Sequence, residues 1–231
     1  MESSFDSIKI DIKYIEKNMQ KSNFNSSNYW NKIYQRTDNH KLGWYEEDAE
    51  PSFRLILKSQ INQQSSILNV GAGSTTLTEK LLNSGYQNII LNDISDAALS
   101  NLKQRLPQQS VDKIHWIIDD LTNSTEISQL DPVDLWHDRA VFHFFLTDHD
   151  QENYFKLVKK TVKVNGYAIL AAFNLDSATK CSGLDIQRYD AQTIQKKLGA
   201  EFQLIDSFNH IYTMPSGDTR NYIYTLFQKT N

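Results

Sequence analysis

The 231 residues carry 24 Lys and Arg against 28 Asp and Glu, a formal net charge of −4, so no basic field for holding nucleic acid is present and a nucleic-acid partner is not expected. Apolar runs stop short of the roughly 18 residues of a membrane span, and the first 30 residues are polar with no apolar signal core, which points to a cytoplasmic chain with no membrane partner. The single cysteine, Cys181, excludes an internal disulfide and a thiolate cluster, and with no HxxxH or HExxH pair no metal is expected.

No repeat, low-complexity linker or charge block divides the chain. The expected organisation is an N-terminal helical extension over residues 1–58, serving as a lid, and one larger domain over 59–231. Within the extension, NYWNKIYQRTDNHKLGWYEE (28–47) is rich in aromatics. Tyr29, Trp30, Tyr34, Trp44 and Tyr45 need burial, either on the outside of a sheet or as a roof over a ligand.

From Ser66 onward, short β-branched runs alternate with amphipathic segments. SILNV, NIILND, KIHWIID, VDLWHD and GYAILAAF read as strands, and TLTEKLLNSG, DAALSNLKQRL, QENYFKLVKKTV and DAQTIQKKLG carry helical spacing. Such alternation predicts an α/β, Rossmann-like doubly wound sheet covered by helices on both faces. EFQLIDSFNHIYTM, the turn PSGD and TRNYIYTLFQK close the chain as an antiparallel hairpin.

ILNVGAGSTTLTEKLL places Gly71 and Gly73 where a strand becomes a helix, so that a ligand can approach the main chain. Asp93 ends the second strand, where a carboxylate can accept ribose hydroxyls, and Asp119 and Asp120 end the third. These residues outline an adenosine site. Each acid alone could equally cap the segment that follows it. A dinucleotide fingerprint needs a third glycine where Thr76 stands, and the phosphate-loop Lys-Ser/Thr is missing.

DLWHDRAVFHFF puts His137, Asp138 and Arg139 at the end of the fourth strand, where open α/β sheets bind ligands. His137 can accept a proton and Arg139 can pair with a carboxylate. The structural alternative is a buried Asp138-Arg139 ion pair with His137 tied to a main-chain carbonyl. Successive strand residues point to opposite faces, so His137 and Asp138 cannot both reach one ligand while the strand lasts. His143 reads as a satisfied core histidine.

GAGSTTLTEKLLNSGYQNIILNDIS resembles motifs I and II of the class I S-adenosylmethionine-dependent methyltransferases, and YWNKIYQ with GWYEE resembles a branch that includes lysine methyltransferases of elongation factors. DLWHDRAVFHFFLTD with CSGLDIQRY resembles a bacterial branch whose acceptors are unassigned. The resemblance implies a seven-stranded sheet, mostly parallel with an antiparallel C-terminal hairpin strand, and S-adenosyl-L-methionine as cofactor, leaving S-adenosyl-L-homocysteine. It implies cofactor contacts from Trp30, Asn69, Gly71, Ala72, Gly73, Asp93, Ile94, Asp119, Asp120, Leu121 and His137. Catalysis would fall to His137, Asp138 and Arg139, and acceptor binding to Tyr29, Trp44, Tyr45, Asn174 and Arg188. The acceptor would be a protein side chain, most plausibly lysine, or a small molecule. A cofactor-binding module without catalysis is the alternative. One departure stands at Asn69, where many members carry an acid, which puts the usual binding of the methionine amino group in doubt.

Overall fold

The structure, a computed structural model, describes residues 25–231, so the first part of the expected extension lies outside the described residues. The predicted strands form β1 (Ser66–Val70), β2 (Asn88–Asp93), β3 (His115–Ile118), β4 (Val133–Arg139) and β5 (Val162–Phe173). They pair in parallel in the order β3-β2-β1-β4-β5. Two long strands, β8 (Phe202–Thr213) and β9 (Thr219–Lys229), form the predicted hairpin. β9 inserts antiparallel between β5 and β8, giving seven strands in one sheet.

Alternation along each strand feeds two cores. Ile67 and Leu135 pack with Leu55 and Ile56 on one face, while Leu68 and Trp136 pack with Tyr154 and Val158 on the other. In chain order the longer helices are α1 (Ser26–Arg36), α2 (Glu50–Lys58), α3 (Leu77–Asn83), α4 (Asp96–Arg105), α5 (Gln108–Val111), α6 (Asp148–Thr161) and α7 (Ala191–Leu198). Helices α2, α3 and α4 supply the first face, and α6 and α7 the second. Side chains of Ser95, Thr147 and Asp190 cap α4, α6 and α7 by accepting main-chain N–H groups, which fixes where those helices begin.

Strand order reverses direction between β1 and β4, and this switch point opens a crevice beyond the carboxyl ends of the parallel strands. A small ribbon, β6 (Lys180–Cys181) with β7 (Leu184–Asp185), stands in the segment after β5.

Candidate active site

Gly71 and Gly73 both adopt positive φ, at 54° and 52°. A Cβ at Gly71 would collide with Val141, and one at Gly73 with the Tyr34 hydroxyl, so the turn admits only glycine on steric as well as conformational grounds. Asp93 braces the turn from β2. Its Oδ2 accepts the Gly73 N–H and its Oδ1 the Ser95 N–H, each at 2.8 Å, while burial pushes its carboxyl up to about 6.

β4 continues as strand through Arg139, so His137 and Arg139 face one side and Asp138 the other. His137 stands in register with Asn69 and is almost wholly buried. Its Nδ1 lies 2.7 Å from Asn69 Oδ1 and its Nε2 2.8 Å from Ser52 Oγ. The amide oxygen can only accept, so Nδ1 carries the proton and Nε2 accepts from the Ser52 hydroxyl. Burial, then the nearby Arg139 charge, pushes His137 down to about 3 and keeps it neutral. Asn69 Nδ2 is left buried with no partner.

The Asp138-Arg139 ion pair that stood as the structural alternative does not form. Asp138 accepts the Val141 and Phe142 N–H groups at 3.0 and 3.2 Å and the Tyr154 hydroxyl at 2.7 Å, because its side chain points into the opposite core. Arg139 instead lies 3.1 Å from Glu46, with about a tenth of either side chain exposed. Arg139 Nε donates to Tyr224 Oη at 2.9 Å and Nη1 to the Trp44 carbonyl at 3.0 Å. The rings of Tyr212 and Tyr222 flank the guanidinium at 5.0 and 4.8 Å. Nη2 meets Glu46 off the hydrogen-bond direction and satisfies no bond. His137 is likewise tied to side chains rather than to a main-chain carbonyl.

Glu46, Ser52, His137 and Arg139 line a narrow cleft of about 40 Å³ together with Trp44, Tyr45, Asn69, Gly71, Ala72 and Gly73. A second, wider cavity of about 510 Å³ opens toward Ile94, Ile118, Asp119 and Asp120. Asp119 is engaged as a loop cap, accepting from Ser124 Oγ and the N–H groups of Thr125, Glu126 and Ile127 at 2.7–3.0 Å. Asp120 Oδ1 accepts from Thr122, and Leu121 turns into the core. Ile118 keeps 51% of its surface exposed in this opening, an apolar floor that a flat ring would cover.

α1 packs against α4. Asn31 Oδ1 accepts from Ser95 Oγ at 2.7 Å and the Ala97 N–H at 3.1 Å, and Asn101 Nδ2 donates to the Tyr34 carbonyl at 2.9 Å. Trp30 meets Trp44 and Phe144 edge to face at 5.5 and 5.2 Å, and Trp44 Nε1 donates to Tyr34 Oη. Tyr29 donates to the Ser182 carbonyl, joining α1 to the loop after β5. Asn174 and Arg188 hold that loop together, through Asp176, Asn209, Leu175 and Ser177, and line neither cavity. His143 is buried as expected but unsatisfied: both ring nitrogens lack partners, and the ring sits between Phe144 and Phe173.

Sequence reasoning missed Ser52 and Glu46. Glu46 was visible in GWYEE only as one of two acids, and nothing local marks Ser52, whose role depends on α2 crossing the end of β4.

Residues 67–166 match a family model described as a methyltransferase domain. The eEF1A lysine and N-terminal methyltransferase of Mus musculus is 32% identical over 82 residues, which are 36% of this chain and 12% of that protein. EEF1A lysine methyltransferase 2 of Homo sapiens is 21% identical over 159 residues, 63% of this chain and 66% of that protein. The chain thus spans about an eighth of the length of the first of these relatives. Among solved structures, a SAM-dependent methyltransferase from Anabaena variabilis superposes with a TM-score of 0.70 at 13% identity, over 88% of this chain and 93% of that one. The N-methyltransferase NodS from Bradyrhizobium japonicum, solved with S-adenosyl-L-homocysteine, gives 0.66 at 14%, over 90% and 100%. Sheet order, glycine turn and these similarities are those of the class I S-adenosylmethionine-dependent methyltransferases, which the domain at 67–166 resembles.

The residues present fit that cofactor. Ile118 offers an uncovered apolar surface for a base, and Asn69 Nδ2 is an unpaired donor in the cleft beside the glycine turn.

Proposed function

We propose that this chain transfers a methyl group from S-adenosylmethionine to an amine nitrogen, with the lysine side chain of a protein as the acceptor class. The observation that supports it above others is the cleft itself, which sets a glycine cradle at the β1–β4 switch point under a roof of Trp44 and Tyr45. The bound donor supplies an electrophilic methyl on a sulfonium, and charge is lost as it leaves. A residue set for this chemistry needs to align the acceptor and exclude water more than to supply a strong base.

The chain's own residues suit that task. Trp30, Trp44 and Phe144 form an interlocked aromatic edge beside the cleft, and the Tyr29 to Ser182 contact joins α1 to the loop after β5. An amine acceptor must arrive neutral. Desolvation in the roofed cleft lowers the proton affinity of an amine brought into it, so the neutral nucleophile is favoured without a dedicated base. His137 is not available for proton transfer in this arrangement, since both its nitrogens are engaged.

A small-molecule amine is the second reading, favoured by the same enclosure, because a roofed cleft excludes any acceptor that is not slender or small. Incubation with methyl-labelled S-adenosylmethionine and a lysate split into protein and small-molecule fractions separates the two. Label in protein, recovered as methyl-lysine, is the expected outcome. Cofactor binding with no label in either fraction would instead fit a binding module.

A further inference from the structure

The sheet ends on β8, which pairs with β9 along one edge and with no strand among the described residues along the other. A strand of 12 residues left open in this way presents a row of main-chain donors and acceptors to whatever approaches. Sheets ordinarily blunt such an edge with Lys or Pro, yet no Lys, Arg or Pro stands between Phe202 and Thr213. Instead, three of the eight large apolar side chains left exposed among the described residues lie on this strand. They are Leu204, Ile205 and Ile211, the last with 67% of its surface free. The register against β9 shifts between Leu204 and Asp206 and then runs evenly to Thr213, so the open edge is regular where it is longest.

We propose that β8 pairs antiparallel with β8 of a second copy of this chain, about a two-fold axis at Phe208, joining the two sheets into one. A two-fold contact must be self-complementary, since each residue meets its mirror position on the other copy. IDSFNHI, residues 205–211, meets that demand. Positions equidistant from Phe208 face one another, so Ile205 meets Ile211, Asp206 meets His210 and Ser207 meets Asn209. Apolar thus falls on apolar and small polar on small polar, and an acid falls on an imidazole. Lys58 donates to Asp206 at 2.8 Å and holds its carboxyl below the ordinary value, so the acid arrives as an anion. His210 touches Tyr224 edge to face and forms no hydrogen bond among the described residues. Its ring carries an N–H in either charge state, which leaves it a donor for that anion. Asp206, Phe208 and His210 share one face of the strand, as opposed residues of an antiparallel pair must. The same edge reaches the cleft, because the Tyr212 hydroxyl donates to the Tyr45 carbonyl.

Sedimentation equilibrium of the full chain over a range of concentrations tests the state, and cysteine pairs test the register. The unaltered chain is expected to move reversibly between one and two copies. Ile211→Lys places a charge at both ends of the contact and should weaken the dimer by about tenfold, with the circular dichroism of the fold unchanged. Opposed residues of an antiparallel pair lie about 4.5–5.5 Å apart at Cα, within the roughly 4.4–6.8 Å that a disulfide spans. In a Cys181→Ser background, Ser207→Cys and Asn209→Cys chains mixed and mildly oxidised should therefore cross-link to each other far more than either does to itself. A chain that stays single at every concentration overturns the proposal and gives the edge to another occupant, such as residues 1–24 or a different protein. A dimer indifferent to Ile211→Lys overturns it in favour of another surface. Cross-links as abundant within each variant alone as in the mixture would overturn the two-fold register at Phe208.

Discussion

Arg139 passes over its neighbour Asp138 and pairs with Glu46 at 3.1 Å, from the other side of the cleft. Strand geometry decides this: with β4 extending through Arg139, adjacent side chains diverge, and the carboxylate goes to the core while the guanidinium goes to the ligand face. The polar cluster that ends β4 is therefore two devices back to back.

Asp138 belongs to the scaffold device, so Asp138→Ala should lower stability more than it lowers donor affinity. Two main-chain N–H groups and the Tyr154 hydroxyl would lose their acceptor in the core, at a cost of about 3 kcal/mol. Thermal melts beside S-adenosylhomocysteine titrations on the folded fraction measure both. An unchanged melting temperature with lost turnover would return Asp138 to the reaction.

Gly71→Ala should destabilise by about 2–3 kcal/mol, combining a positive φ with a clash against Val141. Val141→Ala in the same chain removes part of the clash and leaves the φ strain. A double-mutant cycle by denaturant unfolding is expected to show a favourable coupling between the two substitutions. Strict additivity would mean that the Val141 contact is not what restricts the turn.

Much of this was legible because local signals agreed. SILNV, NIILND and TRNYIYTLFQK coincide with β1, β2 and β9, since each run has strand character and is bounded by turn or cap residues. The glycine turn and Asp93 were placed by their positions at strand ends. What sequence could not show is which groups satisfy which. Asp119 spends its oxygens on the loop at 124–127, and Arg139 finds Glu46 rather than Asp138, because those pairings depend on how separate segments pack. His143 carried the right burial and the wrong bonding for the same reason: its partners could be counted only once Phe144 and Phe173 were in place.

His143 should make the fold acid-sensitive. Burial, then the Arg139 charge, pushes its imidazole down to about 3, below the roughly 6.5 of an unfolded chain. A depressed histidine contributes stability that is fully present above the unfolded value and is lost as pH falls from about 6.5 toward 3, because the unfolded chain takes up the proton first. His143→Phe keeps a ring in the aromatic slot and removes this term. The difference in unfolding free energy between the two chains should therefore change by about 1.4 kcal/mol per pH unit between pH 6 and 4, with the variant gaining. Parallel urea curves over that interval would place the imidazole in water.

Asp93 should show the opposite sign. Burial raises its carboxyl to about 6, so the folded chain holds a proton there more tightly than the unfolded one, whose value is about 3.9. Its contribution to stability is fully present below the unfolded value and is lost as pH rises from about 4 through 6. Donor binding runs the other way, because a carboxylate that already accepts from Gly73 and Ser95 can accept ribose hydroxyls with its remaining lone pairs only when ionised. S-adenosylhomocysteine affinity is thus expected to climb between pH 5 and 7 while this part of the stability falls, and Asp93→Asn should flatten both trends together. Affinity that is level across that interval, in a chain whose stability still shifts, would confine Asp93 to bracing the glycine turn and leave the ribose to other groups.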